Sequence, residues 1–134
     1  MTVFLDSSAL VCAVIDGRNR QIVLDHLDSD SAWCASALAL CEALALVPRL
    51  SDEDILRDDI EDGIRLIWDR IAIVPVDQMC LDRAASIARD QPVHVADAIH
   101  LAAADRLPRP VRFVTFDSAQ IPVALSLGFD VVSS

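Results

Sequence analysis

The sequence predicts a single α/β domain over residues 1–134, a three-layer α/β/α sandwich around a mainly parallel sheet. Two observations predict it. Segments with strand character alternate with segments of helical periodicity along the whole chain. The strand-like segments are short unbroken apolar runs, not in–out alternations, as expected where helices cover both faces of a parallel sheet. The composition permits it: 134 residues, 54% of them hydrophobic, suffice for one real core.

The elements follow in order. Thr2–Leu5 is an apolar run ending at Asp6, a buried strand, and Ser7–Ile15 is an apolar helix with Ser7 or Ser8 as its cap. Gly17 breaks that helix, and Ile22, Val23 and Leu27 set a second one over Gln21–Leu27. Ser31–Cys34 is a short extended segment. Ser36 caps the next helix, which carries Leu38, Leu40, Cys41 and Leu44 and is disturbed near its end by Pro48. Ser51-Asp-Glu-Asp54 opens another helix, its acids lying at the positive end of the dipole. Ile71–Val76 is a strand, and Asp77 caps a helix running through Ala88. Val95–Leu107 is an alanine-rich helix. Val111–Phe116 is a strand ending at Asp117, Ser118–Leu127 a helix closed by Gly128, and Phe129–Val132 a last short strand.

Charge restricts the functional classes. The net charge is −10, and all 11 of the Lys+Arg total are arginines. A protein that grips nucleic acid through a broad basic face is excluded, because phosphate neutralisation dominates such affinity. Any nucleic-acid chemistry must rely on metal ions and a few local arginines, with Arg18, Arg20, Arg49, Arg57 and Arg65 as candidates by elimination. A basic protein partner also suits this charge. The apolar runs are too short to span a membrane, and the N-terminus lacks a basic leader pattern, so a cytoplasmic protein is expected. Cys12, Cys34, Cys41 and Cys80 form no CxxC pair and read as small buried hydrophobes. Trp33 and Trp68 read as core residues, and His26 suggests no site.

Four acids stand in unusual places. Asp6 and Asp117 each follow an apolar strand, so both point into the crevice beyond the carboxyl ends of the sheet if their strands are neighbours. Each has an alternative role as a helix cap. Glu42 is the only charge between Asp30 and Arg49, inside an apolar helix. A carboxylate there is paired, solvated in a cleft or bound to metal. Asp97 opens another apolar helix, where a favourable charge at the helix N-terminus is the plainer role. Taken together, carboxylates converging on a cleft need a cation, and hard oxygen ligands suit Mg²⁺ or Mn²⁺. His100 lies three residues after Asp97 on the same helical face. It reads as a partly buried histidine rather than as half of a metal pair.

The stretches Phe4-Leu-Asp6-Ser-Ser8-Ala-Leu, Ser36-Ala-Leu-Ala-Leu-Cys-Glu42, Asp97-Ala-Ile-His100-Leu-Ala, Val114-Thr115-Phe116-Asp117 and Leu127-Gly128-Phe129 carry a resemblance. The chain resembles the PIN domain, and within it the VapC-type toxins of bacterial toxin–antitoxin pairs. The resemblance spans essentially the whole chain. It implies a parallel sheet of about five strands and metal-dependent endonucleolytic cleavage of RNA. It implies Asp6, Glu42, Asp97 and Asp117 as site residues, with Ser8 and Thr115 as hydroxyl support. It further implies a homodimer and a cognate antitoxin whose tail blocks the site, and a basic C-terminal tail would suit this acidic chain. Within that frame Asp6 and Asp97 are the first metal ligands. Glu42 completes the shell or holds a water, and Asp117 belongs to an outer or second-metal position.

Two other enzyme or signalling classes fail on residues. A phosphoaspartate hydrolase of the haloacid-dehalogenase type needs an acid where Ser8 stands, and it needs a lysine. A receiver domain needs the lysine too. A PIN scaffold without catalysis, acting only as a binding partner, is the remaining alternative, and the presence of all four acids argues against it.

Overall fold

The structure, a computed structural model, describes residues 1–30 and 32–133. Five strands, β1 (Thr2–Leu5), β2 (Ala32–Ser36), β3 (Ala72–Val74), β4 (Val111–Val114) and β5 (Asp130–Val132), form one sheet in the order β3-β2-β1-β4-β5. Every pairing is parallel. Between them run α1 (Ser7–Cys12), α2 (Arg18–Ser29), α3 (Ala37–Leu50), α4 (Asp54–Trp68), α5 (Gln78–Asp90), α6 (Val95–Asp105) and α7 (Ile121–Ser126).

The unbroken apolar runs become strands because both faces are covered. Val3, Leu5 and Val114 join one core cluster with residues of α1 to α4. Phe4, Val111 and Phe113 join the other with residues of α5 to α7. The second core is organised by aromatic rings: Phe113 stacks on Phe4 at 5.4 Å and on Phe129 at 5.6 Å between centroids. Trp33 is buried, and its indole N–H donates to the carbonyls of Leu27 (2.9 Å) and Asp30 (2.8 Å). Trp68 packs half-buried against the first core.

Several element bounds differ from the sequence reading. The first helix stops at Cys12 instead of Ile15, and the second extends to Arg18–Ser29. The Ser31 end of the expected extended segment falls outside the described residues. Pro48 sits inside α3, which continues to Leu50. β3 is confined to Ala72–Val74, and α6 stops at Asp105. β4 ends at Val114 rather than Phe116, because the Phe116 N–H is taken by the Ser8 hydroxyl at 3.0 Å instead of by a strand. α7 begins only at Ile121, because Asp117 first closes a turn: its Oδ1 accepts from the Ala119 N–H at 3.0 Å, and its carbonyl accepts from the Gln120 N–H at 3.0 Å. Gly128, at φ 86°, closes α7 in the left-handed conformation that favours glycine. Among the cysteines, Cys34 and Cys80 are buried and Cys12 half-buried, but Cys41 is exposed because it lies on the outer face of α3.

Asp77 caps α5 as expected, its Oδ1 accepting from the Cys80 N–H at 2.9 Å, and Arg106 Nη1 donates to the same oxygen at 2.8 Å. The Cys80 N–H, with Arg106 adding to it, holds the Asp77 carboxyl below its ordinary value. A depressed folded value means a contribution that is present at neutral pH and lost as pH falls below roughly 4. Thermal melts between pH 7 and pH 3 are expected to show that loss, with a shallower acid slope in Asp77→Ala.

Among the described residues, no helix is long and apolar enough to cross a membrane.

Candidate active site

The site grows from the junction of β1 and β4. These strands are neighbours with Leu5 opposite Val114, so Asp6 and Thr115 leave the sheet side by side. The strand order turns back at this junction, and the helices that follow β1 and β4 pack on opposite faces, the arrangement at whose carboxyl edge open α/β sheets place their ligands.

Asp6 is 1% exposed and accepts four hydrogen bonds. Its Oδ1 takes the Ser8 hydroxyl at 2.6 Å and the Ala9 N–H at 2.9 Å. Its Oδ2 takes the Thr115 hydroxyl at 2.6 Å and the Gln120 side-chain amide at 3.0 Å. Burial nevertheless pushes the Asp6 carboxyl up, against the pull of Ser8, Thr115 and the Ala9 N–H. Ser8 and Thr115 also tie the two strand ends together. The Ser8 oxygen accepts from the Phe116 N–H at 3.0 Å, and the Thr115 oxygen accepts from the Asp117 N–H at 3.1 Å.

Asp97, half-buried in the first turn of α6, meets this group through Gln120, whose Nε2 donates to Asp97 Oδ1 at 3.2 Å. Burial raises the Asp97 carboxyl, and the negative charges of Asp117, Glu42 and Asp6 raise it further, with His100 opposing. Hydrogen-bond geometry thus joins Asp6 and Asp97 directly, while Glu42 and Asp117 are held by other partners.

Glu42 is held differently. Its Oε1 pairs with Nε2 of His100, a residue of α6 that is 1% exposed. His100 Nδ1 lies 3.0 Å from the Ser36 hydroxyl. The hydrogen bond from His100 holds the Glu42 carboxyl below its ordinary value despite partial burial. An ionised carboxylate only accepts, so His100 Nε2 carries the proton of this pair and donates it to Glu42. This corrects two expectations. His100 is fully buried where a partly buried histidine is expected, and its partner is Glu42. Ser36 stands at the head of α3, but its hydroxyl makes no cap hydrogen bond, because the histidine takes it.

The sequence profile of the PIN domain matches residues 3–133. The chain belongs to the PIN-domain family. Its fold is similar to that of a chain in the structure of FitAB bound to an IR36 DNA fragment (TM-score 0.73, 18% identity, 98% of this chain and 94% of that one). It is similar to one in VapBC2 from Rickettsia felis bound to a promoter DNA fragment (TM-score 0.72, 14% identity, 98% and 99%). It is also similar to one in VapBC-5 from Mycobacterium tuberculosis, a member of the VapBC family of toxin–antitoxin systems (TM-score 0.64, 17% identity, 99% and 98%). At such identities the likeness is one of fold. Comparison with curated protein sequences gave no significant match.

The donor set of this PIN domain suits a hard divalent cation: carboxylate and amide oxygens, with no thiolate among them. Asp6 and Asp97 fit best, since one nitrogen atom reaches both. The Gln120 Oε1 beside them is buried and has no hydrogen-bond partner among the described residues. As the side chains stand, no three His, Cys, Asp or Glu residues among those described are close enough to hold one ion. The physical reason is that Glu42 is drawn to His100 and Asp117 to its own turn. The residues fit a cation held by Asp6 and Asp97, with waters filling further positions, as is usual for Mg²⁺.

Gln120 is the residue that sequence reading of this PIN domain missed. No period or motif marks it. Its one sequence signal is its place three residues beyond Asp117, ahead of Pro122 at a helix start. Of the five candidate arginines, Arg20, Arg57 and Arg65 are engaged with acids of their own neighbourhoods. Arg49 is exposed and shares a groove of about 250 Å³ with Ser7 and Glu42. His26, read as silent, lies 3.2 Å from Arg112 Nη1.

Proposed function

We propose that this PIN domain is a metal-dependent endoribonuclease, the toxin of a toxin–antitoxin pair, with Asp6, Glu42, Asp97 and Asp117 as its site and Ser8 and Thr115 as supports. The observation that carries the reading is the shared amide between Asp6 and Asp97 at the carboxyl edge of the sheet. Asp6 and Asp97 would hold Mg²⁺ or Mn²⁺. When bound, the ion supplies positive charge for the phosphodiester oxygens and lowers the pKa of water. Ser8 and Thr115 keep Asp6 oriented, as outer partners of a metal ligand do. Glu42, kept ionised by His100 and only 30% exposed, is the group that accepts a proton from the attacking water. Asp117 would serve at an outer position of that site.

Similar chains come from VapBC and FitAB complexes, which supports a protein antitoxin as partner. A net charge of −10 favours a basic antitoxin tail, and a homodimer is part of the same reading. Purified protein incubated with a mixed RNA pool is expected to give discrete cuts with Mn²⁺ or Mg²⁺ and none with EDTA. Absence of both cutting and Mn²⁺ binding would favour the inactive scaffold instead.

Arg49, beside Glu42, is the phosphate contact in this reading. Arg49→Ala is expected to weaken RNA binding at low salt and to reduce the salt slope of log K by about 1, measured by fluorescence titration with an uncleavable RNA.

A further inference from the structure

Gln120 does more than contact two acids. Its Nε2 stands between Asp6 Oδ2 at 3.0 Å and Asp97 Oδ1 at 3.2 Å. An amide nitrogen carries two N–H donors, one for each carboxylate. Chemistry dictates this orientation, because the reversed amide would aim Oε1 at two carboxylate oxygens. At its other end Oε1 is buried without a partner among the described residues, in a residue 2% exposed. The side chain also makes no cap hydrogen bond to α7, which it precedes.

We infer that Gln120 is a positioning residue that holds Asp6 and Asp97 together in place of the divalent cation and gives up that seat when the cation binds. The inference rests on the metal-site reading above. Two carboxylates brought together repel, and a neutral N–H pair offsets that repulsion only in part. A divalent cation offsets it better and needs the same oxygens. Once the cation holds them, the amide loses both acceptors, and no described residue retains it at Oε1. The amide therefore keeps the two acids aligned without metal, at the cost of weaker net metal binding.

Side-chain NH₂ signals in ¹H–¹⁵N spectra test this directly. In metal-free protein the Gln120 protons should resonate apart from free glutamine amides and exchange slowly. Saturating Mg²⁺ should bring them to the free position. Gln120→Met should melt lower than wild type without metal, yet bind Mn²⁺ about tenfold tighter by calorimetry, the scale of one lost charge-assisted competitor. The inference is overturned if the Gln120 signals stay put while the backbone amides of Asp6 and Asp97 respond to Mg²⁺. Equal or weaker Mn²⁺ binding by Gln120→Met overturns it as well. If neither Asp6 nor Asp97 responds to either ion in wild type, the metal site itself is wrong, and the inference falls with it. The NMR arm holds even if Gln120→Met does not fold.

Discussion

Asp97→Asn is expected to lower metal-dependent RNA cleavage by at least about a hundredfold while melting at or above the wild-type temperature. The first half follows from its proposed role. Removing even an outer partner of a metal ligand costs about 10–100-fold, and a direct ligand should cost no less. The second half follows from its surroundings. Burial and the charges of Asp117, Glu42 and Asp6 all penalise the ionised Asp97 carboxyl, so the native state pays to keep it charged at neutral pH. Asparagine removes that penalty and retains an oxygen for the Gln120 amide. Loss of activity without loss of stability separates a functional carboxylate from a structural one. Single-turnover cleavage and calorimetric melts on the same preparation would check it. A variant that cuts like wild type removes Asp97 from the site, and one that melts several degrees lower shows that the acid serves the fold.

His100→Ala is expected to cost about 3 kcal/mol of unfolding free energy, the largest effect foreseen for any polar residue here. The ring is 1% exposed, so its loss leaves a cavity. It also strands the Ser36 hydroxyl, which is fully buried, and frees the Glu42 carboxylate that the ring holds. Urea titration would measure the loss. His100→Gln, which can still donate to Glu42, should recover part of it. Cleavage should fall in His100→Ala through turnover more than through RNA affinity, because the ring sets the Glu42 charge and orientation and lies too deep to touch RNA. An unchanged urea midpoint would mean that the Ser36–His100–Glu42 chain contributes nothing to the fold.

Asp6 and His100 mark the two limits of what the linear pattern reveals. Asp6 was legible because its position is encoded locally: an apolar run ends, an acid follows, and the carboxyl end of a strand is where a crevice opens. His100 was legible only as a histidine on an apolar helix. Its partners lie 58 and 64 residues away, and no local period links them. The same contrast explains the shifted element ends. Val111–Phe116 reads as one apolar run, but the Phe116 N–H goes to Ser8, 108 residues earlier, and the strand stops short. Cys41 looked buried because α3 is apolar nearly all round, and only packing decides which side of such a helix faces water.

The sequence by itself determined the layered α/β fold and the order of its elements, and it marked four candidate acids, because hydrophobic period and the placement of charge next to it are local properties of a chain. Tertiary structure alone decided how those acids are held: which strand ends adjoin, that Glu42 answers to His100, and that Gln120 bridges Asp6 and Asp97. Hydrogen bonds between residues up to 114 positions apart depend on where the fold brings the backbone, and distance along the chain carries no record of it.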